Sequence, residues 1–252
     1  LSLHDALPIS EAYLQITTGR PSVSNIPEYE KELTTSHECG HATNLEVMNN
    51  VAKKLGKPWH VPGKVNFITL DPRGIYGGAV YHGENGNNEL SFENVFANIV
   101  CAYGGHSAEK EFYDMDGSYG ITQDLETATS IAQAMVMDMG QGHDTGKITI
   151  DEDMDISPEL RRDIERDVRR ILENALTVSD LITEYYADFN RQFTEKYSHL
   201  VGTGECLVDG DTFRKELQDW RNSQPKSKQE ELDLLDRMII DIMRDTKQGK
   251  IY

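Results

Sequence analysis

His37, Glu38 and His41 stand in the pattern H-E-x-x-H, within Ser36-His37-Glu38-Cys39-Gly40-His41-Ala42. Histidines four residues apart lie on one face of an α-helix, one turn from each other, where both imidazoles can bind one Zn²⁺. Glu38, beside the first histidine, can reach a water on that metal without being a ligand itself. Zinc lowers the pKa of such a water toward about 7, and the carboxylate can then take its proton to leave an attacking hydroxide. The bare pattern also arises as two surface histidines on a polar helix, so the third ligand decides. Cys39 points off the histidine face and is not expected to supply it.

Zinc peptidases complete the site with a Glu, His or Asp further along the chain. After His41 the sequence runs Ala-Thr-Asn-Leu, so no third histidine extends the motif. Composition leaves Glu109 and Glu111 as candidates, at a helix end rich in other charges. Asp124 is better placed, in the first turn of a helix entered from a Gly-containing loop.

The elements that must position these groups are legible from periodicity. A helix runs from about Pro27, with Glu28, Glu30 and Glu32 near its start, through the histidines to about Leu55, and Gly56-Lys57-Pro58 ends it. Lys64 to Leu70 alternates like a strand, Asp71-Pro72-Arg73-Gly74 is a turn, and Gly77 to His82 gives a second short strand. An exposed strand close to a protease site commonly pairs with substrate backbone as an added strand, which makes Gly78, Ala79, Val80 and Tyr81 candidate substrate-binding residues. Gly83 to Asn88 reads as a loop. Ser91 caps the next helix, which carries Gly104-Gly105 toward its end; that pair weakens a helix but lets another element approach closely. After the loop Gly117 to Thr122, a helix from Asp124 to Met139 turns Leu125, Ala128, Ile131, Ala132, Met135 and Met139 inward. Asp151 to Asp155 lacks the spacing of a calcium loop and reads as solvated. Ser157-Pro158-Glu159 starts a long helical stripe reaching Phe193, with a break expected near Ser179-Asp180. Gly202 to Gly210 reads as a loop, Asp211 to Arg221 as a short helix, and Gln224-Pro225-Lys226 as a hinge. Ser227-x-x-Glu230 is a capping box opening a last amphipathic helix.

Composition excludes some classes. A net charge of −18, from 43 acidic against 25 basic side chains, argues against a nucleic-acid partner, which needs a basic patch. No stretch approaches the roughly 18 apolar residues of a membrane span. Three scattered cysteines without a CxxC imply reduced thiols and a cytoplasmic location. The first ten residues lack both an initiator Met and a signal-peptide pattern, so a fragment of a longer protein is expected. The division expected is an N-terminal arm (1–26), a peptidase domain (27–221) and a C-terminal amphipathic helix (222–252).

Five segments in order, over roughly residues 30 to 218, carry a resemblance. They are His37-Glu38-Cys39-Gly40-His41-Ala42; Ile68-Thr69-Leu70-Asp71-Pro72-Arg73-Gly74 with the following Gly77-Gly78 strand; Tyr103-Gly104-Gly105-His106-Ser107-Ala108-Glu109; Gly120-Ile121-Thr122-Gln123-Asp124-Leu125-Glu126-Thr127-Ala128-Thr129; and Glu205 to Leu217. Together they resemble the peptidase domain of FtsH-type zinc metalloproteases, which is normally fused to a AAA+ ATPase. The resemblance implies a mainly α (α+β) fold with a small β-sheet, zinc on His37, His41 and Asp124, and Glu38 as general base. It implies polypeptide substrates, unfolded or loosely folded, and a hexameric ring or a separate unfoldase as partner. Cys39 replaces the family's Ala, and His106 replaces its Arg, where it serves as a structural histidine or an oxyanion donor. No P-loop G-x-x-x-x-G-K-[ST] occurs, so ATP hydrolysis by that route is not expected of this chain. A rival reading is a non-catalytic binding or assembly module that keeps the fold around a structural zinc.

Overall fold

The computed structural model describes residues 12–16, 19–23, 25–56, 63–73, 77–83, 91–115, 120–151 and 155–252. The expected stop at Lys57-Pro58, Gly74 of the turn, 84–88 of the Gly/Asn loop, 117–119 and 152–154 lie outside them.

Everything is built around one helix. Acidic Glu28 and Glu30 in the first turn and basic Lys53 and Lys54 in the last complement the dipole of α1 (Glu28–Lys54), the histidine helix. It is buried along most of its length despite its polar residues, and those residues are paired. Ser36 Oγ bonds Asn190 Oδ1, and Asn44 donates to the Val100 carbonyl and Ser179 Oγ. Asn49 donates to the Gly63 carbonyl, and Glu46 accepts from the Val65 N–H. Burying such side chains is tolerable because their donors and the Glu46 carboxylate find partners.

Two antiparallel pairings make a three-stranded sheet against α1, in the order β2-β1-β3: β1 (Val65–Thr69), β2 (Ala79–His82) and β3 (Leu207–Asp209). Its register pairs Thr69 with both Ala79 and Leu207. β3 falls inside the stretch expected as a loop. With three residues it is too short for alternation to register, and it exists by pairing with β1.

The next two helices correct another expectation. α2 (Phe92–Ala102) starts at Ser91, whose side chain accepts from the Asn94 N–H as anticipated, but it ends at Tyr103, and Gly104 opens a separate helix, α3 (Gly104–Tyr113). The glycines explain the crossing. A Cβ on Gly40 would lie 2.2 Å from the Gly104 carbonyl oxygen, so α1 and α3 touch backbone to backbone. α4 (Thr122–Met137) buries Ala128, Ala132 and Met135, but Leu125, expected inward, is 38% exposed. It lies about 100° around the helix from Asp124, which takes the inward direction.

α5 (Pro158–Tyr185) begins at the Ser157 cap as expected and runs unbroken through Ser179-Asp180. Ser179 is buried and satisfied by Asn44 and Ser107, so its polarity does not interrupt the helix. The break comes at Tyr186, before α6 (Ala187–Tyr197). α7 (Gly210–Ser223) is capped by Asp209, and α8 (Lys226–Lys247) starts directly after Pro225. Pro225 supplies the first accepting carbonyl, to the Gln229 N–H, so Ser227 lies inside the first turn and the expected capping box is not formed. α8 packs back on α1 and α5. Its Leu232, Leu235, Ile239 and Ile242 are fully buried, each contributing about 1.5–3 kcal/mol. Buried Asp236 ties it to Lys54 of α1 and Arg221 of α7.

Candidate metal centre

The helical spacing brings the two imidazoles together, with ring centroids 4.7 Å apart and Nε2 atoms 3.0 Å apart. α4 delivers Asp124 in its first turn, with Oδ2 3.3 Å from each Nε2. Three donor atoms therefore converge on one point. Tetrahedral ligands at roughly 2.0–2.1 Å from zinc stand about 3.3 Å apart, the spacing of this triangle. Glu111 is exposed and takes no part.

The far side of each ring fixes its tautomer. His37 Nδ1 donates to Glu109 Oε1 at 2.8 Å, and His41 Nδ1 donates to the Cys101 carbonyl at 2.7 Å. With both Nδ1 atoms committed as donors, each ring, once it sheds its second proton, turns a bare Nε2 lone pair toward the other and toward a carboxylate oxygen. Asp124 Oδ2 is buried there without a hydrogen-bond partner. Three lone-pair donors without a shared proton repel, and a divalent cation among them is what the donor set fits.

The electrostatics agree. Burial lowers the His37 pKa, but the Asp124 and Glu109 carboxylates beside it outweigh that and push the group up to about 10, so the site without a metal draws a proton to the point where a cation would sit. His41 is raised too, against the same burial, chiefly by the Asp124 charge. Asp124 resists its own burial and is held well below the usual carboxylate range by the two histidines. Positive charge is thus favoured at this point. Glu38, 5% exposed, is shifted the other way, raised mainly by burial. It is absent from the triangle of donors that can hold one ion.

β2 enters the site directly over Glu38, since a Cβ on Gly78 would lie 2.7 Å from Glu38 Oε1. Ala79, Val80 and Tyr81 follow on this edge strand, half-buried. Gly105 meets His37 as closely, and its missing Cβ would stand 2.3 to 2.5 Å from three imidazole atoms. Cys39 is fully buried with Sγ near the Thr43 hydroxyl at 3.7 Å, away from the triangle. His106 is 8% exposed with an unpartnered Nδ1. Sequence reasoning offered Glu109 as a ligand, whereas it stands behind His37 as its hydrogen-bond acceptor, 72 residues away in the chain. Nothing in the local sequence announces that pairing.

A family model, Peptidase family M41, matches residues 24–217. The ATP-dependent zinc metalloprotease FtsH of Corynebacterium glutamicum is 27% identical over 222 residues, covering 82% of this chain and 23% of the relative. FtsH of Acholeplasma laidlawii is 27% identical over 212 residues (82% of this chain, 31% of the relative). FtsH 1 of a Thermoanaerobacter species is 28% identical over 217 residues (82% and 34%). The chain thus spans about a quarter to a third of the length of these relatives. Among the described residues no helix is long and apolar enough to cross a membrane. A match over most of its length, on a mainly helical fold with a small antiparallel sheet, means that the chain belongs to Peptidase family M41, as an FtsH-type peptidase domain.

Proposed function

We propose that this chain is a zinc-dependent endopeptidase acting on unfolded or loosely folded polypeptides, with His37, His41 and Asp124 as zinc ligands and Glu38 as general base. The observation that carries the proposal is the convergence of two tautomer-fixed Nε2 atoms and one carboxylate oxygen at metal-ligand spacing. Zinc bound there supplies Lewis-acid chemistry, polarising the scissile carbonyl and acidifying the attacking water. Among the described residues three donors converge, the number that would hold a catalytic rather than a structural zinc.

The protein's own share follows from its residues. Glu109 and the Cys101 carbonyl hold the two rings in the ligating tautomer. Glu38, a carboxylate whose pKa burial raises, takes the proton of the attacking water and returns it to the leaving amine. The Gly78–Tyr81 stretch, which lies at the sheet edge among the described residues, hydrogen-bonds an extended substrate and lays its backbone past Glu38. The catalytic unit proposed is 27–221, after an arm at 1–26 and before the helix of 222–252. Cleavage needs no ATP in this chain, and structured substrates require a ring of copies or a separate unfoldase. All three cysteines are free and buried, which supports a reducing, cytoplasmic setting.

The test is casein cleavage without ATP by zinc-loaded wild type, chelator-treated protein and Glu38→Gln. Cleavage lost on chelation and in Glu38→Gln, with zinc content unchanged in the variant, is expected. Near-normal cleavage by Glu38→Gln refutes the mechanism, and inactivity of zinc-loaded wild type favours a binding module.

A further inference from the structure

The outer face of the sheet gives the N-terminal segment a role, and its residues 12–23 lie outside the family match. Side chains alternate along a strand. Val80 of β2 packs toward the main core, as does its β1 partner Ile68, and Tyr81 faces the other way. Tyr81 stacks on Phe67, centroids 4.7 Å apart and planes 24° from parallel. Phe67 is buried, yet outside the main core. What packs on this face includes Tyr13, which meets the Tyr81 ring edge-on with centroids 6.1 Å apart. The next residue, Leu14, is fully buried and also stands apart from the main core.

The same segment is held a second time further on. Arg73 donates to the Gly19 carbonyl at 3.1 Å, the Ser22 N–H donates to the Pro72 carbonyl at 2.8 Å, and Val23 lies against Gly204. These anchors follow the end of the sheet where Ala79, Thr69 and Leu207 pair side by side. At that end Gly78 lies over Glu38.

We propose that residues 12–16 and 19–23 strap edge strand β2 from its outer face, with Tyr13 and Leu14 as positioning residues for the substrate strand. β2 is four residues long and pairs with β1 on one side. A strand that short holds its register weakly, and a substrate adding to it needs one register. Packing rings against its outer face orders β2 before substrate arrives and removes that ordering cost from binding. The substrate half of the proposal rests on β2 being the substrate strand; the strap does not.

The experiment compares the wild-type 252-residue chain with Tyr13→Ala, Tyr13→Phe and Leu14→Ala. It measures kcat and KM on an unstructured casein peptide, and backbone amide exchange in β2. Tyr13→Ala and Leu14→Ala are expected to speed β2 exchange about tenfold and raise KM three- to tenfold, with kcat within twofold. Tyr13→Phe, which keeps the ring edge, is expected to keep β2 exchange slower than in Tyr13→Ala. Unchanged β2 exchange in Tyr13→Ala overturns the strap. Faster exchange with unchanged KM upholds the strap and overturns β2 as the substrate strand. If Leu14→Ala unfolds, Tyr13→Ala decides alone, because Tyr13 is half exposed.

Discussion

Glu109 offers the sharpest perturbation of the proposed metal centre that leaves every proposed ligand in place. Its Oε1 accepts the Nδ1 proton of His37 at 2.8 Å, and the residue is only 3% exposed. Replacing it by Ala strands a buried N–H, which costs about 1–3 kcal/mol, and frees the ring to rotate and change tautomer. Loss of such a supporting partner lowers metal affinity about 10–100-fold, or about 1.4–2.7 kcal/mol. Glu109→Gln keeps a carbonyl acceptor and loses only the charge, so it should fall at the mild end of that range and Glu109→Ala at the severe end. Competition against a chromophoric zinc chelator at neutral pH reads both, with circular dichroism confirming that α3 is intact. Zinc affinities within twofold of wild type for both variants would refute the assignment of Glu109 as the residue that orients His37.

Other consequences are checked as directly. Gly105→Ala should raise the intrinsic helix propensity of α3 by about 1 kcal/mol while driving a methyl into the His37 ring, so zinc affinity should drop at least tenfold with the fold retained; unchanged affinity would contradict that packing. Asp167, fully buried, accepts backbone N–H groups of His143, Asp144 and Thr145 and pairs with Arg170, so Asp167→Asn should cost about 3 kcal/mol in denaturant unfolding. Burial raises the Asp167 pKa, but the Thr145 and Asp144 N–H donors, the Thr145 hydroxyl and the Arg170 charge outweigh it and depress the group. A depressed carboxylate stabilises the fold above its unfolded pKa of about 3.9 and loses that contribution as pH falls below it. The gap between wild type and Asp167→Asn should therefore stay constant near neutrality and narrow below about pH 4; a constant gap down to pH 2 would sink the argument.

How much of this was legible in the sequence depended on whether the cause was local. Helix α1, the Ser91 and Ser157 caps and strands β1 and β2 follow from spacing, caps and alternation within a few residues. The close approach allowed by Gly104-Gly105 was legible for the same reason. The triangle of candidate donors joins two segments 83 positions apart, and Asp124 is favoured in sequence only because it opens a helix after a loop. Glu109 was misjudged because its charged neighbours in sequence suggest a solvent-facing helix end, while the Gly104 crossing turns it inward onto His37. Ser179 looked like a break because its partners, Asn44 and Ser107, come from two other helices. β3 and the inward role of Asp124 over Leu125 are likewise products of packing.

Zinc held by His37, His41 and Asp124, with a position left for substrate, is the proposal on which every catalytic step above depends. A crystal structure of zinc-loaded protein, with anomalous scattering recorded at the zinc edge, tests it most directly. The account predicts one peak about 2.0–2.1 Å from His37 Nε2, His41 Nε2 and an Asp124 carboxylate oxygen, with Glu38 near but not bound. A peak ligated by Glu109 in place of Asp124, or closed by a fourth protein ligand, would contradict it.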